Sequence, residues 1–328
     1  METAKMGKNK NALHIADIIA KPEAMVALVL ILLCLLLIFL RPLSFPTPRN
    51  IFNVLRQSSL VAILAVGMGM VIITGGIDLS VGSVIAFTAC MSMAFYRAFA
   101  VPPIVVLLLA LGGGLFMGII NGVLVSKLGI PPFIVTLGML SVGNGAALVI
   151  SNGNPIKYQA SWVSVFGGGY IGLMPVTVLV MVVVLILGHV FANYTQMGRN
   201  IYAVGNSQQA AKLSGIFVDR VIITVYAITG FLAGLCGLIL VGQMDSGDPS
   251  FGKGYELDVI AAAVIGGISM TGGEGNILGV LLGALLMGVL KNLFIQLAVS
   301  GYWQTIVLGL VIVGAVAIDC IRKKRAAR

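Results

Sequence analysis

The sequence predicts an all-α, polytopic bundle of transmembrane helices, and three observations support this fold class. Of the 328 residues, 59% are hydrophobic and only 9% are charged, whereas soluble domains carry about 25% charged residues. The 42 glycines are about twice the usual share, which is typical of membrane helices that pack backbone to backbone. Long stretches also lack Asp, Glu, Lys and Arg, and each exceeds the roughly 20 residues that cross a hydrocarbon core. These charge-free stretches are 98–126, 128–156, 158–198, 221–244 and 292–318.

The apolar stretches divide into about ten spans within a transmembrane domain at 24–320. An N-terminal segment at 1–23 and a basic tail at 321–328 flank this domain. No cleavage-site pattern follows the first apolar run, so we expect a retained first helix and not a removed signal. The predicted spans are roughly 24–40, 59–75, 80–96, 102–126, 131–150, 172–193, 220–241, 256–270, 276–296 and 303–320.

The distribution of lysine and arginine predicts the orientation, because cytoplasmic loops of membrane proteins are enriched in these residues. With both termini in the cytoplasm, thirteen basic residues lie on the inner side and seven on the outer side. The formal charge of +9 is therefore explained by topology, and no basic face or base-stacking module indicates a nucleic-acid partner. In this orientation 194–219 is the longest cytoplasmic segment, and 242–255 is an outer loop.

Two short helices are predicted outside the spans. Residues 206–215 form one of them, because Asn206 or Ser207 can cap its first N–H groups and Gly215 can end it in a left-handed turn. This helix is either a rigid protrusion on the cytoplasmic face or a simple solvated segment that connects two spans. The other helix begins after Thr47 and is expected to lie along the outer interface before the second span.

Glycines recur at four-residue spacing in two of the predicted spans. Such ladders leave a flat groove on one helix face, so we expect each ladder to pack closely against a partner helix. Residues 75–82 and 266–273 share four of eight positions without a gap, which is either an internal repeat or chance similarity in a glycine-rich chain. The two ladders are Gly114, Gly118 and Gly122, and Gly275, Gly279 and Gly283.

The sequence carries no pattern for a catalytic or metal site. His14 and His189 are far apart, His189 is predicted as a packing residue of its span, and the cysteines form no CxxC pair. Residues 247–253 match the first seven positions of a phosphate-binding loop, but Gly254 replaces the Ser or Thr that binds Mg²⁺. We therefore expect no cofactor and no metal on this chain, and any ATP must be hydrolysed by a partner. The cysteines are Cys34, Cys90, Cys236 and Cys320.

Ionisable residues beside the spans are costly to bury and therefore need a partner or a role. Asp78 or Ser80 is expected to cap the third span and to bind its free N–H groups. Glu256 and Asp258 begin the eighth span near the outer surface, where they either contact a docking protein or face water. Lys291 is expected to extend its amine toward the outer interface.

Four stretches of the chain, at 65–83, 198–206, 210–216 and 254–262, carry a common pattern. Together they resemble the ribose-type permeases of bacterial ABC sugar importers. The resemblance runs from about residue 25 to residue 320, in order and at matching spacing. Glu274 departs from the pattern, since a smaller or basic residue is expected there, which leaves the turn between the eighth and ninth spans less well defined.

The resemblance implies a permease in the bacterial cytoplasmic (inner) membrane that works with several partners. These are a cytoplasmic ATPase that uses ATP and Mg²⁺, an extracytoplasmic sugar-binding protein, and a second permease, either an identical copy or a paralogue, within the lipid bilayer. It also implies that the 206–215 helix rests on the ATPase and couples it to the membrane, with Ala210 and Ala211 against the partner. The coupling residues are Asn206, Ser207, Ala210, Ala211, Leu213 and Gly215, and the residues expected to dock the binding protein are Asp245, Asp248, Glu256 and Asp258.

Neutral polar side chains suit a sugar path, since hydroxyl groups need donors and acceptors without strong charge. The same side chains commonly bond one helix to another instead. The candidates for the path are Thr74, Asn121, Thr136, Asn144, Asn292, Gln296 and Gln304.

Two other classes of function compete with this interpretation. An ion-coupled secondary transporter is the alternative, and it needs a membrane-embedded carboxylate or cation site, for which the charge-free spans offer little. A structural subunit without transport activity does not explain a polar residue in so many spans. The sugar itself stays open among ribose, allose, other monosaccharides and autoinducer-like furanosides, because its selection lies largely with the separate binding protein.

Overall fold

The computed structural model describes residues 22–157 and 161–326 as a helical bundle with four two-residue strands. The predicted N-terminal segment up to residue 21, which includes His14, and the tail residues 327–328 lie outside the described residues. The helices are α1 Pro22–Leu40, α2 Pro48–Ile73, α3 Val81–Phe99, α4 Pro103–Lys127, α5 Pro132–Ser151, α6 Ser161–Gly168, α7 Val176–Tyr194, α8 Gln196–Asn206, α9 Gln208–Leu213, α10 Val218–Met244, α11 Tyr255–Ile265, α12 Gly279–Gln296 and α13 Gly301–Ala326. The strands are β1 Ile156–Lys157, β2 Tyr170–Ile171, β3 Met174–Pro175 and β4 Ser246–Gly247.

Eight helices in the described ranges are long and apolar enough to cross a membrane: α1, α2, α3, α4, α5, α7, α10 and α12. The polytopic all-α fold is therefore confirmed, but the predicted count of ten spans is not. Helix α11, predicted as a span at 256–270, has 11 residues and a length of about 16 Å, against a core of about 30 Å. The apolar part of α13, Gly301–Ala317, is also shorter than the eight.

Helix α2 runs through the centre of the bundle. Every residue from Ser58 to Ile73 is buried, which explains why this stretch carries no charged side chain. The predicted helix start is confirmed, because the Thr47 hydroxyl accepts a hydrogen bond from the Asn50 N–H at 3.3 Å. The prediction of a separate interface helix is wrong, since the helix that begins at Pro48 continues without a break into the span.

The glycine ladder of α4 packs directly against α10. A Cβ atom on Gly114 would lie 2.2 Å from the carbonyl oxygen of Gly230, and one on Gly118 would lie 2.3 Å from that of Tyr226. The predicted close approach is therefore confirmed for α4. In α12, Gly283 packs on the carbonyl oxygen of Ala262, but Gly275 precedes the helix and is not part of its ladder.

The chain after α10 does not form a simple outer loop. Strand β4 pairs with β1 in antiparallel register, and a Cβ on Gly247 would lie 2.6 Å from the carbonyl oxygen of Ala89. Five residues later, the backbone of Gly252 packs on the carbonyl oxygen of Gly82, so the chain descends about 10 Å along α3. The segment 242–255 therefore folds back along α3, and α11 starts beside the first turn of α3.

Candidate functional site

Helices α8 and α9 lie at the end of the bundle where α2 stops and α10 starts. The Thr195 hydroxyl accepts from the Gly198 N–H at 3.0 Å and so caps α8, and the Ser207 hydroxyl accepts from the Ala210 N–H at 3.2 Å and caps α9. The predicted 206–215 helix thus exists in shorter form. Its cap is Ser207, because Asn206 is the last residue of α8.

The end of α9 has the geometry that the sequence predicts. Gly215 has a φ of 80°, in the left-handed region that favours glycine. The N–H of Ile216 donates to the Ala211 carbonyl at 3.0 Å, and the N–H of Gly215 donates to the Lys212 carbonyl at 3.1 Å. These two bonds form a Schellman motif, which satisfies carbonyls that a helix end would otherwise leave free.

The two sides of α9 differ sharply in exposure. Leu213 is 91% exposed and Ala210 is exposed, whereas Ala211 is only 3% exposed and packs in the permease's own core. The prediction that Ala211 contacts a partner protein is therefore wrong. Asn206, Ser207 and Gly215 are exposed, so with Leu213 and Ala210 they remain candidates for such a contact.

A cavity of about 890 Å³ lies beside α9, between the α9–α10 connection and the α4–α5 connection. Its wall includes Lys127 and Asp219, whose side chains form an ion pair at 2.6 Å and tie the end of α4 to the start of α10. Leu128 and Phe217 are 66% and 67% exposed at this end, and the Arg220 guanidinium lies 4.5 Å from the Phe217 ring centroid. Exposed apolar side chains with a polar rim mark a surface that contacts a protein partner or a membrane.

Matching turns form at 75–82 and 266–273, the two segments whose similarity is either an internal repeat or chance. Helix α2 ends with Gly75 at a φ of 84° and a hydrogen bond from the Gly76 N–H to the Val71 carbonyl at 2.9 Å. Helix α11 ends with Gly267 at a φ of 94° and a bond from the Ile268 N–H to the Ala263 carbonyl at 3.1 Å. Both are Schellman ends, and they correspond at an offset of one residue from the gapless alignment.

A side-chain turn follows each of these helix ends. The Asp78 carboxylate accepts from the backbone N–H of Ser80 at 2.8 Å and from its hydroxyl at 2.6 Å. The Ser269 hydroxyl accepts from the Thr271 N–H at 3.3 Å, at the positions that the gapless alignment pairs with Asp78 and Ser80. The prediction that Asp78 or Ser80 caps α3 is wrong, because Ser80 precedes α3 without a side-chain cap bond and Asp78 binds Ser80 in the turn instead.

The end of α8 contacts both turns at once. A Cβ on Gly205 would lie 1.8 Å from the Ile73 carbonyl oxygen and 2.6 Å from the Gly273 nitrogen. The Gly273 N–H donates to the same Ile73 carbonyl at 2.9 Å, which ties the two turns together. The Tyr202 hydroxyl donates to the Gly275 carbonyl at 3.0 Å, and because burial raises the pKa of Tyr202, this phenol stays protonated. The sequence patterns did not predict this junction, the meeting of the end of α8 with the α2–α3 and α11–α12 turns.

Three of the residues predicted for a sugar path are bonded inside the bundle near these turns. Thr74 donates to the Val71 carbonyl at 2.8 Å, Thr136 donates to the Ile77 carbonyl at 3.3 Å and to the Pro132 carbonyl at 2.9 Å, and the Asn121 amide donates to the Ser80 hydroxyl at 2.9 Å. All three candidates are buried, and the Asn121 side-chain oxygen has no hydrogen-bond partner.

The other path candidates lie elsewhere and do not form one site with the first three. The side-chain amides of Asn292 and Asn50 exchange two hydrogen bonds, at 2.8 and 3.2 Å. The Gln296 amide also donates to the Asn50 side-chain oxygen, at 3.2 Å. This cluster joins the start of α2 to the end of α12. Asn144 is exposed on α5, and Gln304 donates to the Val299 carbonyl at 2.9 Å within its own segment.

The acidic residues predicted to dock a binding protein fall into two environments. Asp245 is exposed and accepts from the Ser164 hydroxyl, and Asp248 accepts from the Ser250 N–H at 2.8 Å in a surface turn. Asp258 is only 8% exposed and is paired with the Lys291 amine, so neither is free to act at the surface. The Lys291 amine is thus bonded to Asp258, while 30% of its side chain stays exposed.

Glu256 also lies partly inside the bundle. One of its carboxylate oxygens is buried without a hydrogen-bond partner, close to Gly82. No group of three or more His, Cys, Asp or Glu residues able to hold a metal occurs in the part of the chain that the structure describes. His189 lies on α7, where its ring nitrogen contacts the Asn193 amide at 3.0 Å.

Comparisons with known proteins assign this architecture to a family. Residues 50–316 match the family described as the permease component of branched-chain amino acid transport systems. The chain is 38% identical over 328 residues to the ribose import permease protein of Bacillus subtilis (strain 168), covering 99% of this chain and 100% of the relative. It is 42% identical over 280 residues to the ribose import permease protein of Escherichia coli (strain K12), covering 84% and 87%.

A further relative is the fructose import permease protein of Rhizobium meliloti, with 38% identity over 282 residues, covering 84% of this chain and 78% of the relative. No solved structure matches the chain. The resemblance carried by the four sequence stretches is confirmed, because these relatives align with most of the chain. With its membrane-spanning helical bundle, the chain belongs to this family of ABC importer permeases, as a transport subunit and not an enzyme.

Proposed function

We propose that this chain is the permease subunit through which an ATP-driven importer moves a monosaccharide into the cell. The observation that carries the proposal is similarity along most of the chain to permeases whose names specify ribose, fructose or D-allose. The exposed, doubly capped α9 helix supports it, because an importer of this kind needs a rigid surface for its ATPase. The sugar is of the pentose or hexose class.

The partners follow from this role. A cytoplasmic ATPase binds ATP and Mg²⁺ and contacts α9, a separate extracytoplasmic protein delivers the sugar, and a second permease completes the membrane unit. Among the acidic candidates for contact with the binding protein, Asp245 is exposed and Asp248 is partly exposed.

Both termini are cytoplasmic in this proposal, as the excess of basic residues on that side indicates. A membrane-impermeant thiol reagent applied to intact cells is expected to label Tyr170→Cys, which replaces an exposed residue of β2. It is expected to label Gln209→Cys on α9 only after the cells are permeabilised. The opposite pattern would reverse the orientation.

Uptake by proteoliposomes tests the proposed function. The chain is reconstituted with its ATPase and binding protein, and entry of labelled ribose, fructose and allose is followed with and without internal ATP. Accumulation that needs ATP and both partners is the expected result. Accumulation that needs an ion gradient and neither partner would establish the alternative, an ion-coupled secondary transporter.

That alternative needs a carboxylate free to bind an ion. The two buried aspartates that the structure describes are engaged, Asp78 by Ser80 and Asp258 by Lys291. Glu256 keeps one carboxylate oxygen buried without a hydrogen-bond partner, so the dependence of uptake on ATP or on an ion gradient separates the two functions.

A further inference from the structure

The junction under α9 joins three parts of the chain that are distant in sequence. Gly205 at the end of α8 contacts the Ile73 carbonyl of the α2–α3 turn and the Gly273 nitrogen of the α11–α12 turn. At 1.8 Å and 2.6 Å from a Cβ position, neither contact leaves space for a methyl group. Both neighbouring atoms belong to the backbone, so a side-chain rotation cannot relieve the overlap.

The junction is stiff because its parts are bonded as well as packed. The Gly273 N–H donates to the Ile73 carbonyl, and the Tyr202 hydroxyl donates to the Gly275 carbonyl. The Asn206 side chain also lies against Gly273, 2.6 Å from the position of a Cβ there. Helix α8 therefore holds both turns through one face of its last turn.

The same helix is joined to α9 by a single residue. Ser207 ends α8 and caps α9, with its backbone N–H donating to the Ala203 carbonyl at 3.2 Å and its hydroxyl accepting from the Ala210 N–H. Ala211 anchors α9 in the core from the other side. A displacement of α9 therefore cannot be absorbed by a flexible linker, and it reaches the last turn of α8.

We propose that the contact of Gly205 with Ile73 and Gly273 transmits movement of α9 to both the α2–α3 turn and the α11–α12 turn. The inference rests on the proposed function, since it assumes that an ATPase moves α9. The α2–α3 turn leads into α3 through Asp78 and Ser80, and the α11–α12 turn leads into α12. A single movement of α9 thus displaces two pairs of helices together, α2 with α3 and α11 with α12. Gly205, Ile73 and Gly273 act as positioning residues and touch no substrate.

The test measures coupling, the number of sugar molecules imported per ATP hydrolysed, in the complete complex with its ATPase and binding protein. Gly205→Ala forces the contact with Ile73 and Gly273 apart, and in complexes that still assemble it is expected to keep ATPase binding and basal ATP hydrolysis while lowering this ratio about tenfold or more. Tyr202→Phe removes one hydroxyl and adds no bulk, so it is expected to fold normally and to lower the ratio about two- to fivefold. Gly145→Ala is the matched control, because nothing lies within 4 Å of its Cβ position.

The outcomes separate the inference from the proposed function. ATP-dependent uptake by the unchanged complex establishes the function, whatever the variants do. The proposed transmission through Gly205 would be overturned by an unchanged coupling ratio in Tyr202→Phe together with an unchanged ratio in any Gly205→Ala complex that assembles. If Gly205→Ala does not assemble, Tyr202→Phe alone decides. Equal loss of uptake and of ATP hydrolysis, with a constant ratio, would also overturn it.

Discussion

Two substitutions in helix α9, at Leu213 and at Ala211, separate its role in binding the ATPase from its role in folding of the permease. Leu213 is 91% exposed, so replacing it with Ser removes apolar surface that only a partner can bury. Full burial of a leucine side chain contributes about 1.5–3 kcal/mol, which corresponds to roughly 10- to 150-fold in affinity. Ala211 is 3% exposed, and a tryptophan there overpacks the permease itself at a cost of about 1–3 kcal/mol or more.

We therefore expect opposite results in two assays on the purified permease. Leu213→Ser leaves the thermal unfolding midpoint nearly unchanged, since surface substitutions shift stability by about 0.5 kcal/mol at most, and weakens binding of the ATPase tenfold or more. Ala211→Trp lowers the unfolding midpoint before any partner is added. Normal ATPase affinity in Leu213→Ser would refute the docking role of the exposed face of α9. An unchanged midpoint in Ala211→Trp would refute the assignment of the buried face.

Two further predictions concern contacts within the bundle. Lys291→Met leaves the buried Asp258 carboxylate without its partner and is expected to destabilise the protein by about 3–5 kcal/mol, measured by thermal unfolding in detergent. Adding Asp258→Asn restores most of that loss, and a double variant no more stable than the single one would contradict the pairing. Gly114→Ala places a carbon 2.2 Å from the Gly230 carbonyl and lowers the unfolding midpoint, whereas Gly112→Ala, with open space around it, does not. Equal midpoints would show that α4 and α10 are not in close contact.

Local chemistry in the sequence predicts where several helices begin and end. The start after Thr47, the end at Gly215 and a serine cap for α9 all depend on groups within a few residues of one another, so sequence alone identifies them. The position of Ala211 against the core could not be predicted in the same way. A six-residue helix has too few turns to show which of its faces is apolar by spacing.

Ion pairs between distant residues and the path of the chain within the bundle depend on long-range packing, and the sequence predictions failed for both. Asp258 and Lys291 are 33 residues apart, and only the packing of α11 on α12 brings them together. The span predicted at 256–270 was placed by hydropathy, but the helix stops at Ile265 because Gly267 adopts a left-handed conformation. Hydropathy also cannot show that the chain before α11 folds back along α3, since small and polar residues suit either a loop or an inward turn.

The glycines of this chain show which structural roles leave a signal in a sequence. Gly114 belongs to a ladder at four-residue spacing, and that spacing alone predicts a helix that approaches its neighbour closely. Gly75 and Gly215 stand where helices end, and their positive φ angles follow from capping rules that operate within one turn. Gly205 has neither signal, because it lies in a helix and excludes a methyl group only through the backbones of Ile73 and Gly273. Its role depends on atoms about 70 and 130 residues away, so a single sequence can identify a glycine that serves its own helix but not one that serves a junction between distant turns.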